Sequence, residues 1–410
     1  MRTCFSRKLI KSGVGLSVVA ASLMMSSTVR ADDNRYQQVN LVSDLPNVAM
    51  LQDSNLVNAW GVSFTPMSPF WISDNGKGLA TLYSVTNDST GMEHVVKQGL
   101  QVMIPGDGTP TGQVFNNLGG FNGDIFLFVS EDGTISGWRP PLGPAAETLV
   151  PGDETNVYKG VTLISTSNGP VLLAANFRQG TVDAYGSNSI LIAQFSDPRT
   201  PPGYAPFNVQ SIDGIVFVTF AKQDDLKHDD AAGPGRGLID VFDPSSGRFH
   251  RFATGTAVGG NVRDMNSPWG MTLAPGSFLK GNNGNGPSGT RGKGNGRGHQ
   301  EEELLVGNFG SGTIMTFEAD GNFRGDLRGA KGGPIMIDGL WALTFGNGGS
   351  AGDPNTLFFT AGPNGEADGL FGSLQPVVKG HGHGGGPGNQ GDQGNGGGGH
   401  GQGNQGGGND

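Results

Sequence analysis

The chain has 410 residues, 74 of them glycine and one cysteine, with a formal net charge of −10. That acidic balance argues against a nucleic-acid surface, whose phosphates demand a basic face, and against adsorption to anionic lipid. The lone Cys4 excludes a disulfide framework and thiolate metal centres.

Residues 1–11 carry Arg2, Arg7, Lys8 and Lys11 and no acid, an apolar stretch runs from Gly13 to Met25, and a polar run ends at Val29-Arg30-Ala31. This order predicts a signal peptide over 1–31, cleaved after Ala31, and a protein secreted to the periplasm or the medium. The apolar stretch falls short of the about 20 residues that span a bilayer, so no stable membrane insertion is expected; an uncleaved anchor is the alternative. Cleavage would remove Cys4 and five positive charges, moving the balance from −10 to about −15.

Tyr36–Val42 reads as a lone strand. Three stretches then share one pattern: Asn58-Ala-Trp60-Gly-Val-Ser-Phe, Ser267-Pro-Trp269-Gly-Met-Thr-Leu and Gly339-Leu-Trp341-Ala-Leu-Thr-Phe. Each is a Trp, a small residue and a period-2 alternation, the mark of a half-buried strand. The small residue suits a place where backbones crowd, as near a propeller axis. A second unit follows, strand, Gly turn, strand, at Trp71–Tyr83, Phe128–Trp138, Leu172–Tyr185, Leu304–Phe317 and Leu357–Phe371. Val216–Phe220 and Gly237–Phe242 form a sixth copy, lengthened by the polar insert Ala221–Arg236. The hairpin glycines are assigned to Gly78, Gly133, Gly180, Gly237, Gly312 and Gly369, roughly 47–75 residues apart, a period that indicates propellers or arrays. The predicted fold is an all-β, six-bladed β-propeller over 36–378, its ring closed by the N-terminal strand; a β-sandwich array is the alternative. Residues 281–298 are predicted to be a disordered, basic Gly/Asn loop insert, and 379–410 a disordered Gly/His/Asn/Gln-rich tail.

Propellers bind ligands at the channel mouth, and the polar residues assigned to the approaches of the inner strands are Asn58, Asn156, Asn208, Asn266 and Asp338. Such oxygens could ring Ca²⁺ or another divalent cation, or simply close turns. Asn75, Asn176 and Asn308 recur before the hairpin and read as amides bonding across it. The Trp residues read as packing, Trp60, Trp269 and Trp341 as core wedges rather than a stacking platform. Of the histidines, His94, His228 and His250 fall in the fold. His228 lies within Asp224–Asp230, which reads as a solvated charged insert, with cation binding as the alternative. His381, His383 and His400 in the tail form no preorganised metal site. No Gly-x-Ser-x-Gly elbow, zinc motif, P-loop or dinucleotide fingerprint stands in a fitting context.

The run Tyr36-Gln-Gln-Val-Asn-Leu-Val-Ser-Asp-Leu, Asn58-Ala-Trp-Gly-Val, Phe70-Trp-Ile-Ser-Asp-Asn-Gly-Lys-Gly and Ser267-Pro-Trp-Gly-Met resemble an uncharacterised family of exported bacterial propeller proteins, many with a C-terminal Pro-Glu-Pro sorting signal. The resemblance covers about residues 36–375. It implies a six-bladed propeller related in shape to NHL-repeat and lactonase-like propellers, and no particular activity. This chain lacks the Pro-Glu-Pro signal after Gly380, which favours release. Two functions stay open: a monomeric binding or interaction module for an unknown ligand, such as a glycan or cell-surface protein, or a metal-dependent hydrolase or lyase of the lactonase-like type.

Overall fold

The computed structural model describes residues 34–260, 262–280 and 302–377. The predicted signal peptide, the 281–298 insert and the 379–410 tail lie outside them. No helix among the described residues is long and apolar enough to cross a membrane.

Six antiparallel sheets follow one another along the chain, each a meander from an inner to an outer strand. Blade 1 is Ala59–Ser63, Phe70–Asp74, Leu79–Asn87 and Glu93–Met103; blade 2 is Pro110–Phe115, Phe126–Ser130, Ile135–Trp138 and Glu147–Val150. Blade 3 is Tyr158–Thr166, Gly169–Asn176, Thr181–Gly186 and Leu191–Phe195; blade 4 is Tyr204–Ile212, Ile215–Lys222, Gly237–Asp243 and Arg248–Thr254. Blade 5 is Pro268–Ala274, Glu303–Asn308, Ile314–Phe317 and Phe323–Asp326. Blade 6 takes Leu340–Phe345, Leu357–Ala361 and Leu370–Pro376 from the end of the fold, and its outer strand, Tyr36–Ser43, from the beginning. That strand runs antiparallel to Leu370–Pro376, with Tyr36 opposite Pro376 and Ser43 opposite Leu370. Leu51–Gln52 pairs beyond it, covering part of an otherwise open edge. The six-bladed propeller closed by its N-terminal strand is therefore the observed fold.

The burial pattern explains why second strands read as unbroken apolar runs. Phe70–Asp74 and Phe126–Ser130 are buried at every residue, because a neighbouring blade covers each face. Six apolar clusters each bridge two adjacent blades; Val171, Leu173 and Val182 of blade 3, for example, pack on Val209, Val218 and Phe242 of blade 4. A seventh, around Trp60, Phe207, Trp269 and Trp341, lies on the axis.

All six inner strands break their ladder at one level. Register shifts fall between Ala59 and Val62, Pro110 and Gln113, Tyr158 and Gly160, Pro206 and Asn208, Pro268 and Met271, and Leu340 and Leu343. A bulge re-aims side chains and frees backbone groups, and side chains of adjacent blades take up those groups. Gln113 Nε2 donates to the Gly61 carbonyl at 2.8 Å, Thr111 Oγ1 to the Tyr158 carbonyl at 2.8 Å, and Asn208 Nδ2 to the Trp269 carbonyl at 2.7 Å. The bulges place Trp60, Thr111, Lys159, Phe207, Trp269 and Trp341 at equivalent positions, followed by Gly61, Gly112, Gly160, Asn208, Gly270 and Ala342. Small residues are required there: a Cβ on Gly61 would lie 2.5 Å from the Thr111 carbonyl oxygen, and one on Gly112 2.9 Å from Val161 N. In blade 4 the small residue is replaced by Asn208, whose side chain fills the space beside Gly160.

Two hairpin assignments need correction. Gly78, Gly133, Gly180 and Gly312 have left-handed φ of 66–82°, as tight turns require. Gly237 and Gly369 do not. Gly237 opens a strand, and Gly369 precedes one at a place where a Cβ would collide with the Leu56 carbonyl. The longer connections in blades 4 and 6 put the left-handed glycine earlier, at Gly235 (φ 74°) and Gly365 (φ 64°).

Candidate functional site

In a meander, the hairpins joining second to third strands and the connections entering each inner strand lie at one end of the channel. There the chain assembles a single polar network from six blades. At its centre is Lys159 of blade 3, the one charged residue in the ring of bulge positions, with a side chain 2% exposed. Its Nζ donates to Glu131 Oε1, from the blade 2 hairpin, and to Asp229 Oδ1, from the blade 4 insert, the latter at 3.1 Å. It lies 5.0 Å from the centroid of the Trp60 ring, a cation–π distance.

The network continues on both sides. Asn75 Nδ2 donates to Glu131 Oε2 at 2.9 Å, and Asn58 Nδ2 donates to Asn75 Oδ1 at 3.1 Å and to Glu366 Oε2 at 2.7 Å. Asn58 Oδ1 in turn accepts the Trp341 indole N–H at 2.9 Å, tying the network to the axial aromatics. Across the mouth, His228 Nδ1 lies 2.9 Å from Asp229 Oδ1, and Ser267 Oγ donates to Asp230 Oδ2. Three non-glycine residues here have left-handed backbone, Asn58 (φ 47°), Ser267 (φ 50°) and Glu366 (φ 68°). Such conformations persist only where surrounding contacts over-determine them.

The electrostatics follow from burial and pairing. Burial pulls the Lys159 pKa down, but Glu131 and Asp229 more than offset it, so it stands above its ordinary value. The Asp229 carboxyl is held well below the usual range by its bond to His228 and the Lys159 charge, against its burial. The same bond pushes His228 up despite burial. Burial raises Glu366, with the Asn58 amide and Lys159 acting against it, and raises Asp230 against its bond from Ser267.

Beneath this network the channel is plugged. Trp60 and Trp341 stack at 3.6 Å between centroids, Phe309 stacks on Trp341 at 3.9 Å, and Trp269 meets Trp60 and Trp341 edge-on at 6.3 and 5.9 Å. The Trp residues are core wedges, as expected.

Each of the five sequence-assigned residues has a partner within the chain, and only Asn58 enters the network. Asn156 Oδ1 accepts from Asn176 Nδ2 at 2.7 Å, Asn266 N donates to Asn308 Oδ1 at 2.9 Å, and Asp338 Oδ2 accepts from Asn364 N at 2.8 Å. With Asn58 and Asn75 this makes a tie between blade entry and hairpin in four blades, side chain to side chain in blades 1 and 3 and through one backbone N–H in blades 5 and 6. Asn208 stands inside its strand rather than ahead of it, and its side chain faces the far half of the channel. His94 pairs with Asp88 at an exposed strand end, and His250 is exposed on the outer strand of blade 4.

Glu131, His228 and Asp229 each offer one ligand atom, all within 4.8 Å of one another, so this donor set could hold a cation. Lys159 Nζ, however, is bonded to two of those three residues. Sequence reasoning missed Lys159, Glu131 and Glu366. The available signal was Lys159-Gly160-Val161, which aligns with Trp60-Gly61-Val62 and carries a charge where four of the other blades carry an aromatic and one a threonine.

No family model matches the chain. It is similar to Uncharacterized protein R648 of Acanthamoeba polyphaga mimivirus, 28% identical over 354 residues, covering 82% of this chain and 78% of that protein. Uncharacterized protein L690 of the same virus is 27% identical, over 82% and 84%. Among solved structures, the chain is similar to an auxiliary nutrient binding protein from Bacteroides thetaiotaomicron (11% identity, TM-score 0.49, 78% of this chain and 70% of that one). It is also similar to virginiamycin B lyase from Staphylococcus aureus (14%, 0.44, 84% and 100%) and a gluconolactonase from Xanthomonas campestris (14%, 0.42, 79% and 88%).

Proposed function

We propose that this protein is a binding propeller whose carboxylate-lined mouth takes a cationic group, an ammonium or guanidinium, carried on a larger partner such as a basic segment of a cell-surface protein. The observation that carries this reading is the locked Lys159. Its raised pKa keeps it an ammonium, with no lone pair for nucleophilic or Schiff-base chemistry. Ser267 is buried and its hydroxyl donates to Asp230, so it offers no accessible nucleophile. What faces solvent is a surplus of carboxylate: Asp229 is 61% exposed, and on the same insert Asp225 is exposed and Asp224 half-buried, against one exposed cation, Lys227. Carboxylates converging from several blades attract cations and steer them at low ionic strength. Export remains part of this proposal, resting on the N-terminal pattern.

Calorimetric titration with an oligolysine peptide, an oligoglutamate peptide and a neutral glucan tests it. Oligolysine alone is expected to bind, with affinity falling about tenfold in Asp229→Asn or Glu366→Gln and with added salt. Equal binding of the glucan, or no loss in either variant, contradicts it.

A second reading draws on the Glu131, His228 and Asp229 geometry: a divalent cation there would polarise a bound carbonyl or ester in a hydrolase or lyase. It requires Lys159 to leave the two carboxylates it now holds.

A further inference from the structure

The far half of the channel, beyond the aromatic plug, carries a different chemistry. A cavity of ≈ 180 Å³ opens there, lined by inner-strand residues of all six blades. Its polar lining is Ser63, Gln113, Thr162, Gln210, Ser211 and Thr344, with Trp269 and Asn208 at the plug end; no charged side chain contributes. We propose that this cavity is a second binding site, for a small neutral polyhydroxyl molecule of monosaccharide size.

Three features support it. Hydroxyls and carboxamides that both donate and accept are the groups that match sugar hydroxyls, and an uncharged lining offers nothing to offset the desolvation of an ion. Several of these groups are fixed in advance: Ser63 Oγ donates to Gln113 Oε1 at 3.1 Å, Gln113 Nε2 is held by the Gly61 and Trp71 carbonyls at 2.8 and 3.0 Å, and Thr162 Oγ1 accepts from Ser211 N at 3.0 Å. The half-buried Gln210 carboxamide, by contrast, forms no hydrogen bond among the described residues and is free to meet a ligand. The space corresponds to about six waters at their liquid volume, which a single sugar ring would displace together. The site is separated from the mouth by the stacked Trp60, Trp341 and Phe309, so it stands or falls independently of the cationic-ligand reading.

The test is ligand-observed NMR and calorimetry on the full chain with glucose, galactose, N-acetylglucosamine and glycerol, and with glucuronate and glucosamine as charged counterparts. At least one neutral sugar is expected to bind saturably in the millimolar range. Gln210→Ala and Ser63→Ala are expected to weaken it about tenfold, with unchanged thermal midpoint for Gln210→Ala. Asp229→Asn at the mouth is expected to leave it intact. No saturable binding by any neutral compound means that the cavity holds water only and overturns the proposal. Equal binding of the charged sugars, or full binding by Gln210→Ala, overturns it too.

Discussion

Lys159→Met is expected to destabilise the fold by about 3 kcal/mol, the low end for breaking a buried ion pair. Methionine preserves the length and the apolar contact with the Trp60 face, so the loss is that of the charge. Glu131, with an 11% exposed side chain, then loses its ammonium, and the half-buried Glu366 loses a nearby compensating charge. Asp229 is 61% exposed and keeps His228, so solvent screens its share. For a fold of this size the thermal midpoint should drop by about 4–5 °C.

The pH dependence has a definite sign. Removing Lys159 takes away an interaction that lowers the Glu366 pKa and leaves the burial that raises it. A carboxyl with a raised folded pKa binds more protons folded than unfolded between the two values, so stability falls as pH rises through that window. The deficit of Lys159→Met relative to wild type should therefore be larger at about pH 8 than at about pH 5. Adding Glu131→Gln should recover part of it. Differential scanning fluorimetry at both pH values checks this; a deficit below about 1 kcal/mol at either pH means that Lys159 is not the electrostatic keystone of the mouth.

Trp341→Ala is expected to cost about 3–5 kcal/mol, in the range for truncating a buried large aromatic. The side chain is fully buried, stacks between Trp60 and Phe309, meets Trp269 edge-on and lies 5.8 Å from Phe207. Through it, blades 1, 4 and 5 touch blade 6 on the axis. Its indole N–H also fixes Asn58, whose amide carries Glu366 and Asn75. Trp341→Phe should separate the two contributions, keeping much of the stack while losing the bond to Asn58. Denaturant titration gives the cost; a loss under about 1 kcal/mol for the alanine variant would mean the plug closes around the gap.

The fold was legible because propeller blades repeat. The Trp-small-apolar inner strand and the Gly hairpin recur, and the lone strand Tyr36–Val42 has only one place to pair. Gly237 and Gly369 were misassigned because insertions move a turn without changing the residues that flank the strands. The site was less legible, since it arises from how six blades meet rather than from any local motif. Asn58 was found, but Asn156, Asn266 and Asp338 share its sequence position and serve a repeated tie between entry loop and hairpin. Lys159 hid inside a strand, and its partners Glu131 and Asp229 stand 28 and 70 residues away. Only aligning the six bulge positions against one another would have exposed a lysine beside four aromatics and a threonine. The Asp224–Asp230 insert reads as solvated charge, yet it turns Asp229 onto Lys159 and buries Asp230 against Ser267.

Divalent-metal content tests most directly whether Lys159 serves as the resident cation of the mouth. Elemental analysis of purified wild type and Lys159→Ala, each dialysed against calcium and then against metal-free buffer, reads it. Wild type should retain no stoichiometric divalent ion, while Lys159→Ala, its Glu131, His228 and Asp229 ligand atoms freed, should gain one. One tightly held ion per wild-type chain, lost on Glu131→Gln, would contradict this and favour the metal-dependent enzyme.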